Sequence, residues 1–217
     1  MKNINIIIEL LKKESKNWKY PFVSGWQRVV KSPFTTLISC ILSLRTKDET
    51  TAKASIRLLK EYNSPEKILK LSTKQIEKLI YPVGFYRTKA KRIKEICRVL
   101  IEKYNSKVPD TFDELIKLKG VGPKTASITV VYGFNKPYHI PTDTHVHQIS
   151  NRLGWVKTKA PEKTQTELEK IIPRKYWHDM NELFVQFGQN VCVPVSPFCS
   201  KCPINRYCPR IGVKRSR

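Results

Sequence analysis

A chain of 217 residues with 40% apolar side chains is long enough for one large or two small packed domains, and too apolar to stay disordered. Lysine and arginine number 41 against 18 acidic residues, a net charge of +23 that repels itself in a free compact state, so the expected partner is a polyanion. A membrane surface fits less well than nucleic acid. No 18-residue apolar run exists, Ser39 and Ser43 interrupt the longest apolar stretch, and the basic residues spread along the whole chain.

In chain order, residues 1–13 read MKNINIIIELLKK. The apolar segment is short, carries Glu9 and is followed by no small-residue cleavage site, so it predicts a first amphipathic helix rather than a signal peptide. The expected setting is the cytoplasm, beside the nucleoid, with no membrane segment. Helical periodicity then recurs near residues 34–44, 48–62, 73–80, 86–104, 111–118, 123–133, 144–154, 162–172 and 176–188, with Gly and Pro punctuating between them. The clearest stretch places Ile93, Ile96, Cys97, Leu100, Ile101 and Tyr104 on one helical face. Period-two alternation is absent, so the predicted class is all-α. Cys40 and Cys97 lie among apolar neighbours and read as ordinary buried thiols. Residues 209–217 carry four cations and no acid, which suits an arm on a phosphate backbone.

Two stretches carry chemistry. The first is Leu118-Lys119-Gly120-Val121-Gly122-Pro123-Lys124-Thr125-Ala126. Its glycines allow a tight hairpin that approaches another molecule closely, and Pro123 suits the first position of the next helix. The backbone N–H groups at that helix start then form a phosphate site, with Gly120, Val121 and Gly122 as the gripping residues. Lys124 projects beside the bound backbone, where partial burial and neighbouring cations favour the free amine needed for nucleophilic attack. Its candidate carboxylate is Asp143 in Ile140-Pro141-Thr142-Asp143-Thr144-His145-Val146, although taken alone Asp143 reads first as the N-cap of the next helix. His145 and His147 are two residues apart, off a common helical face, and are read as surface or supporting residues.

The second stretch holds Cys192, Cys199, Cys202 and Cys208 in the spacing C-x6-C-x2-C-x5-C. Four thiolates inside 17 residues are the ligand set of one tetrahedral metal or an iron–sulfur cluster, and the compact run favours a cubane over zinc. Two disulfides would suit a small secreted domain instead.

The hairpin, the Asp-Thr-His-Val segment about twenty residues later and the cysteine loop occur in an order that resembles the endonuclease III family of helix-hairpin-helix DNA glycosylases. The likeness extends from about Ser32 to Pro209 and includes the stretch from Val83 to Ala90 and the Phe187-Gly188 pair. It implies a six-helix barrel domain over residues 26–137 containing the hairpin, and a discontinuous cluster domain joining residues 1–25 to 138–217, with the active site in the cleft between them. It also implies a [4Fe–4S] cluster on the four cysteines, Lys124 as Schiff-base lysine and Asp143 as catalytic aspartate. The substrate would be double-stranded DNA with oxidised pyrimidines of the thymine-glycol type or abasic sites, attacked by a monomer that removes the base and cleaves 3′ of the site by β-elimination. Relatives acting on mismatched bases lack a lysine at the position of Lys124, which argues against a mismatch-specific glycosylase here. A non-catalytic DNA-binding module with zinc in the cysteine loop is the rival from another class.

The chain also departs from the family pattern. Lys119 replaces the proline usual before the hairpin, and Arg45 stands where a glutamine often fills the gap left by an extruded base. Phe85 occupies the position of the wedge. Residues 193–198 lack the basic side chains with which this loop often contacts phosphate, and Lys201 and Arg206 are the expected substitutes.

Overall fold

The computed structural model describes residues 3–18 and 32–217, and the described residues contain helices and turns without a strand. They fall into two compact units: residues 32–136, and residues 3–18 together with 137–217. The expected domain break at residues 25/26 lies outside the described residues.

The first unit is built on α2 (Pro33–Ser43), opened by Ser32 as N-cap with Pro33 in its first turn. Every residue from Phe34 to Leu42 is buried, so this helix is the hub of the unit rather than an amphipathic wall. Around it come α3 (Asp48–Leu59), α4 (Pro65–Leu69), α5 (Thr73–Ile80), α6 (Tyr86–Tyr104), α7 (Phe112–Ile116) and α8 (Pro123–Ile128), which passes into a π-turn at Thr129–Gly133. The caps are legible in the residues. Ser72 Oγ accepts from Gln75 N at 3.2 Å while Gln75 Oε1 accepts from Ser72 N at 2.8 Å, a reciprocal box that starts α5. On α6 the buried face is Ala90, Ile93, Ile96, Cys97 and Leu100, each large apolar member contributing about 1.5–3 kcal/mol of transfer free energy. Helix α4 lies in the gap between the periodic stretches 48–62 and 73–80. Five residues with Ile68 as the one fully covered apolar anchor are too short for periodicity to register, and Pro65 starts the helix instead of stopping one.

The second unit packs α1 (Ile4–Ser15), α9 (Thr144–Arg152), α10 (Pro161–Ile171) and α11 (Trp177–Asn190) around Trp155, Phe184 and Phe187. Helix α1 buries Ile7, Ile8 and Leu11, the face its sequence predicts. Beyond α11 the chain has short 3-10 turns at Cys199–Lys201 and Asn205–Tyr207. No described helix is long and apolar enough to cross a membrane.

Candidate nucleic-acid and catalytic site

The hairpin of the first unit joins α7 to α8. Val121 N donates to Leu118 O at 2.9 Å, and Leu118 and Val121 are buried as its two plugs. Gly120 has φ +86°, the left-handed region that a side chain rarely enters, and a Cβ there would lie 2.7 Å from Arg92 Cδ. The turn is also tied to α6 from outside. Arg92 pairs with Glu95 at 2.8 Å, and Lys119 reaches Glu95 at 3.5 Å. Lys119, where a proline was expected, therefore tethers the turn by charge. Gly122 caps α8 and Pro123 opens it, so the first amides of α8 lack helical acceptors by geometry.

Lys124 sits in that first turn, half-buried. Its charge is felt by Cys40 on α2, whose thiol burial pushes up to about 12. Directly downstream, the π-turn Thr129–Gly133 widens the helix, with Thr129 Oγ1 donating to Thr125 O at 2.8 Å. Such turns are frequent at functional sites.

Asp143, in the second unit, is 7% exposed and caps α9: its Oδ1 accepts from His145 N at 2.9 Å and Val146 N at 3.0 Å. The cap reading is therefore a structural fact. His147 turns to Thr164, with its Nδ1 2.6 Å from the hydroxyl.

Arg45 and Phe85, forty residues apart in sequence, are brought side by side in the first unit. Both are exposed, both have positive φ (51° and 57°), and the guanidinium carbon lies 5.8 Å from the ring centroid. Phe85 leaves 63% of its surface in solvent. Gly84 permits the contact of the two segments, since a Cβ there would stand 2.6 Å from Arg45 O.

The four cysteines are free, half-buried thiols that line one pocket with Ile149, Leu153, Phe187 and Ile204. Burial raises the thiols of Cys192 and Cys208 above their ordinary value and pushes Cys202 up to about 12, and their mutual repulsion adds to it. Such thiols hold their protons until a metal displaces them. The sequence reading missed Arg152. It is 8% exposed, and its guanidinium donates to Cys192 O (3.2 Å), Cys192 Sγ (3.2 Å), Val193 O (2.9 Å) and Pro194 O (2.7 Å). A cation between Ile149 and Leu153 on the apolar side of α9 was the available signal. With Arg210 N donating to Cys208 Sγ at 3.4 Å, the pocket has apolar walls and N–H donors aimed at sulfur, which suits an anionic thiolate cluster.

The last residues fold back on this loop. Arg217 N donates to Pro197 O at 2.8 Å, Ser200 N donates to Arg217 O at 3.0 Å, and the Arg217 guanidinium stacks 3.9 Å from the Phe198 ring centroid. The stretch read as an arm on phosphate is thus docked on the cysteine loop. Lys201 and Arg206 are exposed beside it, Arg206 over the Tyr207 ring at 4.8 Å. No acidic residue follows Glu182.

Residues 38–174 match the HhH-GPD superfamily of base excision DNA repair proteins. Over 81% of this chain and 82% of the relative, the sequence is 48% identical to "Endonuclease III" of Thermotoga maritima. Among solved structures it is similar to a trapped endonuclease III–DNA covalent intermediate (33% identity, TM-score 0.83, 97% of this chain and 96% of the other). A non-covalent endonuclease III–DNA complex aligns with the same identity and coverage at a TM-score of 0.86.

Proposed function

From its place in the HhH-GPD superfamily of base excision DNA repair proteins, to which this chain belongs, we propose that it is a bifunctional DNA glycosylase and abasic-site lyase acting on oxidised pyrimidines in duplex DNA. One observation carries the reading: a lysine in the first turn of the helix that follows the Gly120–Gly122 corner.

A base inside a duplex has to leave the stack before its glycosidic bond can be attacked, and a damaged base costs least to extrude. The amides of residues Gly120, Val121 and Gly122 and the first turn of α8 grip backbone phosphate. Arg45 and Phe85 occupy the vacated space. The neutral amine of Lys124 attacks C1′ of the deoxyribose, the C1′–N bond breaks, and the base leaves with the bonding electrons and takes up a proton. Loss of an amine proton and opening of the sugar ring, in which the C1′–O4′ bond breaks and O4′ takes up a proton, give a protonated imine between Lys124 and C1′. The imine acidifies the C2′ proton; its removal expels the 3′ phosphate, and water releases the sugar fragment from Lys124. Asp143 accepts the amine proton and stabilises positive charge on the sugar. The cap bonds hold its carboxylate in one orientation, so the structural and chemical roles fall on one side chain.

Cys192, Cys199, Cys202 and Cys208 hold a [4Fe–4S] cluster in this reading. When bound it supplies cross-linking of the loop, and no electron transfer enters the reaction. Lys201, Arg206 and the docked C-terminal cations supply the phosphate contacts that residues 193–198 lack.

Borohydride reduction on a thymine-glycol or abasic duplex is expected to trap a covalent protein–DNA adduct that Lys124→Ala abolishes. A folded wild-type protein giving no adduct would sink the assignment. Asparagine caps helices as well as aspartate, so Asp143→Asn is expected to keep fold and DNA affinity while turnover collapses; a parallel loss of affinity would reduce Asp143 to its cap. Iron and sulfide in the purified protein, rather than zinc, separate the enzyme from the DNA-binding module.

A further inference from the structure

Lys89 lies one turn into α6 and is 7% exposed, an unusual place for an ammonium without a carboxylate. Its Nζ donates to Leu42 O at 2.8 Å, Leu44 O at 2.5 Å and Thr46 Oγ1 at 3.1 Å, so three donors meet three acceptors. The two carbonyls belong to the end of α2, where helical partners run out and the helix dipole favours a cation. Burial lowers the Lys89 pKa to about 8.

Thr46 Oγ1 also accepts from Gly84 N at 3.1 Å. Lys89 and Thr46 together therefore form a knot between residues 42–46 and the turn at Gly84 and Phe85. Arg45 and Phe85 emerge on either side of it, each in the left-handed region that a non-glycine residue adopts only where its surroundings impose it. A cation that binds the Leu42 and Leu44 carbonyls before Arg45 and the Thr46 hydroxyl after it, and that springs from the helix that Phe85 caps, is placed to impose both.

We propose that Lys89 is a positioning residue for base extrusion: its buried ammonium locks the Arg45 and Phe85 backbones side by side, so that their side chains form a wedge before DNA arrives. The proposal rests on the reading that Arg45 and Phe85 fill the space left by the base. A preformed wedge spares the complex the ordering of two flexible segments on binding. Duplex opening should then depend on Lys89, whereas imine formation at Lys124 should not.

Lys89→Met keeps the length of the stem and removes the donors. Its kcat/KM on a thymine-glycol duplex is expected to fall about 10- to 100-fold, the scale of a misplaced positioning group. Lyase turnover on an abasic single strand, which has no stack to open, is expected to stay within about 2-fold of wild type, less than that positioning scale. A 2-aminopurine opposite the lesion should lose its fluorescence rise. Combined with Arg45→Ala and Phe85→Ala, the Lys89→Met loss should largely disappear, because its effect runs through those side chains. Equal loss on both substrates, an additive triple variant, or an unchanged duplex rate would each overturn the proposal. Should Lys89→Met not fold, Thr46→Val removes the shared acceptor, and the same selective duplex loss is required of it. A wild type without a trapped adduct would sink the enzyme reading instead, and Arg45→Ala with Phe85→Ala lacking any selective duplex loss would sink the wedge.

Discussion

The two units are held by different physics. Residues 32–136 close around a helix buried on every side, with Leu37, Ile38, Ile41, Leu58, Ile93 and Leu100 essentially without solvent contact. The last 26 residues of the other unit bury one large apolar anchor, Ile204, and are tied down by Arg152, main-chain turns and four thiols. Where the sequence supplies apolar periodicity, burial is enough to specify the chain path. Where it supplies cysteines and prolines, burial is slight and hydrogen bonds from Arg152 and the main chain hold the path.

The largest expected effect tests that contrast directly. Stripping the metal centre, or making Cys202→Ala, should cost the cysteine loop its amide protection from hydrogen exchange and lower the melting of the second unit, with protection in α6 unchanged. If α6 lost protection equally, the units would not be held separately.

Next comes a cavity in the first unit. Leu37→Ala removes a side chain with no solvent contact and should destabilise by about 2–5 kcal/mol in denaturant titration, without altering bound iron. Iron loss in that variant would erase the distinction between the two kinds of anchoring.

Arg152→Met sharpens the comparison within the second unit. Three carbonyls and one sulfur lose a buried donor, which should cost about 2–4 kcal/mol and speed cluster loss to a chelator. Unchanged chelation kinetics would mean that the thiols hold the loop unaided.

The smallest effect lies on the surface of the second unit. His178 first and Lys12 at 2.7 Å hold the Asp179 carboxyl down at about 2, below its ordinary 3.8. A lowered carboxylate pKa gives stability that is present above 3.8 and lost as pH falls towards 2. With solvent reaching both side chains, Asp179→Asn should cost about 1 kcal/mol near pH 7 and clearly less at pH 2, the cost vanishing as pH falls through the folded pKa. An equal cost at both pH values would rule out the ionic origin.

Much of the site is legible in the residues because its signals are local. Gly120 to Lys124 spell a turn and a helix start within five positions, and the cysteine spacing marks a metal loop without reference to the rest of the chain. Asp143 shows the limit: its cap geometry was foreseen as the alternative to catalysis, and the structure has the cap while the chemistry stays with the proposal. Helix α4 escaped for want of length.

By itself, the sequence determined the helical class, the hairpin, the four thiols and the polyanionic partner, since each depends on composition or on spacing within a few turns. The tertiary structure alone decided that Lys89 would be buried against the end of α2 and that Arg152 would enter the cysteine loop. It also laid residues 209–217 on that loop. Those contacts join groups tens of residues apart, or a tail to a loop of no regular form, and hydrogen bonds of that kind leave no periodic trace along a chain.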